Sequence, residues 1–127
     1  MLRILIVEDN PVNMELARQI LGAEYEVDEA IDGELGVASA LRRPPDVILM
    51  DLSLPVLDGW GALARIRSEA KLANIPVVAL TAHAIRGDRE RALAAGFDGY
   101  VTKPVEEDDL LGAIRETLAR RREASIR

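Results

Sequence analysis

At 127 residues, with no cysteine and a formal net charge of −6, the chain is of single-domain size and has neither a disulfide framework nor a thiolate metal site. The acidic balance excludes the basic face that direct nucleic acid binding needs. A content of 49% hydrophobic and 30% charged residues is that of a globular protein rather than a disordered one, and the lack of cysteine fits a reducing, cytoplasmic setting.

Along the chain, short apolar runs alternate with stretches of helical period. Residues 4–7 read as a first buried strand; they meet Glu8-Asp9 too soon to be a signal peptide or a membrane span. A first helix follows, with Leu16, Ile20 and Leu21 recurring at i, i+4 and i+5, and Gly22, a residue that tolerates the left-handed conformation, stops it. Residues 25–30 form a weaker strand, and 34–41 a second helix with Leu35, Ala38 and Leu41 aligned. The run 47–50, bounded by Pro44-Pro45 and Leu54-Pro55, is apolar throughout, as in a strand covered on both faces, and it ends in Asp51. Asp58-Gly59 opens a third helix carrying Leu63, Ile66 and Arg67. Residues 77–80 make the fourth strand, about 86–95 the fourth helix, closed by Gly96, and 99–102 a weak fifth strand. Glu106 is expected to cap the last helix. There Glu107, Asp108 and Asp109 sit at the positive end, Leu110, Leu111, Ile114 and Leu118 face inward, and Arg120-Arg121-Arg122 sit at the negative end. Residues 120–127 are expected to be a tail.

Strict alternation of strand and helix predicts an α/β, doubly wound (βα)5 fold with a five-stranded parallel sheet, right-handed crossovers and helices on both faces. In the strand order 2-1-3-4-5, strands 1 and 3 are neighbours at the switch point, so Glu8, Asp9 and Asp51 converge where such sheets bind ligands. No repeat, low-complexity segment or linker interrupts the pattern, and a single domain over 1–127 without an output domain is expected. Three carboxylates brought together repel one another, and a hard divalent cation, Mg2+, relieves that repulsion with oxygen ligands while keeping several waters. Strand 4 ends in Thr81-Ala82, a hydroxyl and an unhindered N–H; strand 5 ends in Lys103-Pro104, an ammonium. These donors suit a phosphoryl group.

Ile6-Val7-Glu8-Asp9-Asn10, Leu49-Met50-Asp51-Leu52-Ser53-Leu54-Pro55 with Asp58-Gly59, Ala79-Leu80-Thr81-Ala82 and Tyr100-Val101-Thr102-Lys103-Pro104 together resemble the CheY-like response regulator receiver domains of two-component signalling. The resemblance covers the whole chain, and the stretches around Thr81, Gly87-Asp88 and Ala95-Gly96 also resemble receivers of hybrid kinases and stand-alone cell-cycle relays. It implies that Asp51 is the phosphoacceptor for a phosphohistidine. Asp9, Asp51 and the Ser53 carbonyl would bind Mg2+ directly, with Glu8 acting through water. Thr81, the Ala82 N–H and Lys103 would hold the phosphoryl group, and Thr81 with Tyr100 would form the switch. A cis Lys103-Pro104 bond is implied as well. The implied partners are a histidine kinase or a histidine phosphotransfer protein, with a monomer that can dimerise on phosphorylation. The family more often has two aspartates where this chain has Glu8-Asp9.

Plainer readings stand beside these. Glu8-Asp9 could cap the first helix, Lys103 could be a surface lysine, Thr81 a strand residue and Tyr100 part of the core. His83 reads as an exposed loop residue, Trp60 as packing beside helix 3, and Met14 as either core or a contact for a partner helix. Two other functions stand as rivals, the second because it shares the topology. A magnesium-dependent aspartyl phosphatase of the haloacid dehalogenase type would need an acid at Ser53, and a flavodoxin-like cofactor carrier would need a phosphate loop that Glu8-Asp9 would repel.

Overall fold

Strands β1 (Arg3–Val7), β3 (Val47–Asp51) and β4 (Val77–Thr81) are almost wholly buried, as their continuous apolar runs require. With β2 (Glu26–Ala30) and β5 (Gly99–Thr102) they form one parallel sheet in the order β2-β1-β3-β4-β5. The computed structural model describes residues 1–82 and 87–126, with side chains up to Arg121. The expected helix start at Arg86 and the lone His83 lie outside the described residues.

Side chains alternate across the sheet with the period of two that a strand imposes. Leu5, Val7, Ile48, Met50, Val77 and Ala79 face a layer made by α2 (Gly33–Arg42), α3 (Gly59–Ser68) and α4 (Asp88–Ala95). Ile4, Ile6, Val47, Leu49, Val78 and Leu80 face α1 (Pro11–Leu21) and α5 (Glu107–Ile126). The register pairs Val7 with Met50, Asp51 with Leu80, and Thr81 with Thr102, so the strands that carry the candidate site residues end at one edge.

Several helix details differ from the sequence reading. The inner face of α1 is Met14, Ala17 and Leu21, with Leu16 exposed; Met14 is therefore core. Gly22 caps the end of α1 as expected, but in a right-handed conformation, at φ −65, with its N–H bonded to the Arg18 carbonyl at 2.8 Å. On α2 the buried face is Gly36, Val37 and Ala40, whereas Leu35 is 49% exposed. Leu16 and Leu35 are the larger apolar residues of these helices, but close packing on the sheet selects the small ones. Gly96 does end α4 in the left-handed conformation, at φ 111. The expected tail at 120–127 is helical as far as Ile126. The segment is charged but holds no glycine or proline, so nothing in it breaks the helix.

Candidate functional site

At the end of β1, Asn10 enters α1 with extended backbone, and its side-chain oxygen accepts from Val12 N at 2.9 Å and Asn13 N at 3.0 Å, with Pro11 following. Asn10 is thus the helix cap, which leaves Glu8 and Asp9 free of that duty. Glu8 is 1% exposed. Its Oε1 accepts from Asn10 N at 3.1 Å, and Oε2, which has no aligned hydrogen bond, meets Lys103 Nζ in an ion pair at 2.9 Å. Asp9 is exposed beside it.

Asp51 closes β3 and is 2% exposed. Its Oδ1 accepts from Ser53 N at 2.9 Å and its Oδ2 from Lys103 Nζ at 2.7 Å. The chain stays close here: Leu52 N donates to Leu80 O, and Gly59 N, at the start of α3, donates to Leu52 O. A Cβ at Gly59 would stand 2.4 Å from the Asp51 carbonyl, so only glycine lets α3 begin against the end of β3. In the same loop Val56 adopts φ 67 with its side chain 80% exposed, a conformation that costs a β-branched residue energy.

From the other side, Lys103 N donates to Thr81 O at 2.7 Å, and the Lys103-Pro104 bond is cis, as expected. Thr81 is buried and Ala82 exposed. Tyr100 is half-buried and hydrogen-bonded to the Thr81 side chain. Burial pushes the Tyr100 phenol upward, the Asp88 charge adds to the shift, and the Thr81 bond opposes it.

Burial raises the Glu8 carboxyl above its usual range. The Lys103 ammonium and the hydrogen bond from Asn10 N oppose that shift, while the Asp51 charge adds to it. Burial works against the Lys103 ammonium, but its hydrogen bond to Asp51 and its ion pair with Glu8, with both charges, outweigh it and lift the lysine above 10.5. One cation therefore holds together two carboxylates that would otherwise be buried at a cost.

Glu8, Asp9 and Asp51 each bring a carboxylate oxygen within 4.8 Å of the others. A cluster of hard oxygen donors with one exposed member fits a magnesium ion that keeps several waters. The structure thus brings Glu8, Asp9, Asp51 and Lys103 together, with Ser53 joined to Asp51 through its N–H. The contact the sequence did not reveal is Glu8 with Lys103, since nothing in strand order specifies how far two long side chains reach. Trp60 stands between helices: its ring meets Phe97 edge-on at 5.6 Å and the Arg91 guanidinium at 5.3 Å.

The edge so built, at the switch point of a 2-1-3-4-5 sheet, defines a flavodoxin-like doubly wound domain with an acidic cleft. The chain belongs to the response regulator receiver domain family, whose model matches residues 4–115. The receiver domain of the sensor histidine kinase PA1611 from Pseudomonas aeruginosa is 41% identical. It superposes with a TM-score of 0.85 over 93% of this chain and 98% of that one, and it was solved with magnesium coordinated in its active-site cleft. The polar-differentiation response regulator DivK of Brucella ovis is 35% identical over 116 residues, 91% of this chain and 94% of its own length. The DNA-binding dual master transcriptional regulator RpaA of Synechocystis is 39% identical over 119 residues, 93% of this chain. The chain spans about half of RpaA's length, at 49%.

Proposed function

We propose that this chain is the phosphoacceptor of a two-component phosphorelay, taking a phosphoryl group from a partner's phosphohistidine onto Asp51. The observation that carries this reading is a carboxylate almost closed to solvent at a strand end, 2.7 Å from an ammonium and within 4.8 Å of two further acids. One oxygen of Asp51 attacks phosphorus as the P–N bond to histidine breaks, giving an acyl phosphate and a free imidazole. Phosphoryl transfer asks the protein mainly for in-line placement and neutralisation of charge. Mg2+, held by Asp9, Asp51 and the Ser53 carbonyl and by Glu8 through water, would neutralise phosphoryl oxygens. Lys103 shifts its hydrogen bond from Asp51 Oδ2 to a phosphoryl oxygen, and Thr81 with the Ala82 N–H binds the others. As the Thr81 hydroxyl turns to the phosphate, its bond to Tyr100 gives way and the ring moves inward, biasing the surface formed by α4, β5 and α5.

The protein in this reading is a cytoplasmic switch rather than a turnover enzyme. Ser53 cannot protonate a leaving group as the second acid of an aspartyl phosphatase would. Its partners are a histidine kinase or a histidine phosphotransfer protein. Exposed Val12 and Leu16, beside Pro11 on α1, offer apolar contact near the cleft. Phosphorylation then either dimerises the monomer or sends the phosphate onward, without direct contact to nucleic acid. Among the described residues no helix is long and apolar enough to cross a membrane. Intact mass after acetyl phosphate tests the proposal: one added phosphate is expected in the wild type with Mg2+ and none in Asp51→Asn. Equal labelling of Asp51→Asn would overturn it.

A further inference from the structure

We propose that Arg91 is a positioning residue that latches the first turn of α4 to α3 in the resting protein, and so sets how readily the surface of α4, β5 and α5 rearranges. The inference rests on the reading of Asp51 as phosphoacceptor and concerns the resting bias of that switch. The Arg91 guanidinium lies over the Trp60 ring, 5.3 Å from its centroid, and pairs with Asp88 at 3.5 Å. One side chain thus joins a ring on α3 to an acid in the first turn of α4.

Both ends of that join lead toward the cleft. Trp60 follows Gly59, whose N–H donates to the Leu52 carbonyl at 3.1 Å and whose Cα leaves no room for a methyl beside the Asp51 carbonyl. The ring is steadied by the buried Phe97, edge-on at 5.6 Å. Asp88 is 17% exposed, against 71% for Arg91, and its charge acts on the Tyr100 phenol. At its other end α4 is tied down by Arg67, whose guanidinium donates to the Gly96 carbonyl and to Asp98 Oδ2, each at 2.9 Å. Nearer the cleft, Gly87 caps the helix without a side-chain hydrogen bond, and Ala92 is the one buried residue of α4. A cation over an exposed ring face is worth little, so the latch biases a population rather than locking the helix. With the resting arrangement dominant, losing the latch shifts that equilibrium about two- to fivefold. By linkage, whatever favours the rearranged α4 also favours a phosphoryl group on Asp51.

Beryllium fluoride with Mg2+, a tetrahedral stand-in for the phosphoryl group, makes this an equilibrium measurement. Its affinity, followed by amide NMR, is expected to rise about two- to fivefold in Arg91→Ala. It should stay at the wild-type value in Arg89→Ala, which removes the same charge from an exposed position of the same helix. Trp60→Phe keeps an aromatic ring against Phe97 and should give part of the rise, with none beyond it in an Arg91→Ala background. Unchanged or weaker affinity in Arg91→Ala, or an equal rise in Arg89→Ala, would overturn the proposal. If beryllium fluoride does not bind the wild type, or binds Asp51→Asn equally well, the phosphoacceptor reading falls. Hydrogen exchange in metal-free protein then decides on the latch by itself. Residues 88–95 should exchange about two- to fivefold faster in Arg91→Ala than in the wild type, and equal rates would sink the proposal.

Discussion

The interior strands of the sheet and its β5 edge are built to different standards. Around β1 and β3 every residue of β3 is buried, α3 starts in contact with the strand end, and Lys103 ties Asp51 to Glu8. On the far side, α4 has eight residues, of which only Ala92 is buried, and its first turn is capped by Gly87 without a side-chain hydrogen bond. β5 keeps only Val101 fully inside. Burial and hydrogen bonding set how readily a segment opens locally, so the first region holds atoms in place and the second has room to rearrange. Under the proposed function, a charge change at Asp51 would be made in the rigid part and expressed in the looser one, with Thr81 and Tyr100 between them.

Substitutions that fill space break this contrast most strongly. Gly59→Ala places a methyl 2.4 Å from the Asp51 carbonyl and 2.7 Å from Leu52 Cα, and is expected to cost about 3 kcal/mol in denaturant unfolding. Leu93→Ala, on a 43% exposed position of α4, should cost less than about 1 kcal/mol in the same assay.

A smaller effect concerns the cleft itself. Lys103→Met removes the ammonium that competes with a metal for Asp51 and Glu8, so Mg2+ affinity is expected to rise several-fold in a titration even as phosphorylation slows. Unchanged or weaker Mg2+ binding would mean that the lysine does not compete for those carboxylates.

The smallest effect is a pH dependence. The Tyr25 phenol is raised above 10.0 mainly by burial, with the Glu24 charge adding to it, and Lys103 is raised above 10.5 by its two carboxylates against the opposing pull of burial. In both groups the folded state holds its proton where the unfolded state has lost it. Their contribution to stability is thus complete below about pH 10 and lost as pH rises through the raised values. Thermal midpoints measured from pH 9 to 12 should fall over that window, and the fall should be shallower in Lys103→Met.

Much of this contrast could be read from the sequence, and the parts that could not have physical causes. The runs at 4–7, 47–50 and 77–80 name the buried strands because a two-faced strand needs apolar residues throughout. Their order then places Glu8, Asp9, Asp51, Thr81 and Lys103 at one edge. The helix faces were less legible. On α1 and α2, Leu16 and Leu35 drew attention by size, yet Ala17, Gly36 and Ala40 form the contact because the helices lie close to the sheet. Gly22 looked like a left-handed stop, but composition does not fix the dihedral of a glycine. The extension of α5 was hidden because the charges at 120–123 resemble a tail, although helical propensity without a breaker suffices to continue the turn. That Glu8 and not only Asp51 grips Lys103 depends on side-chain reach across three strand spacings, which no local pattern encodes.

Backbone hydrogen exchange, followed by mass spectrometry before and after acetyl phosphate with Mg2+, tests the account most directly. Protection is expected to change in residues 88–102, across α4 and β5, and to stay as it was in 3–7 and 47–50. A change confined to β1 and β3, with α4 and β5 unaffected, would contradict the account.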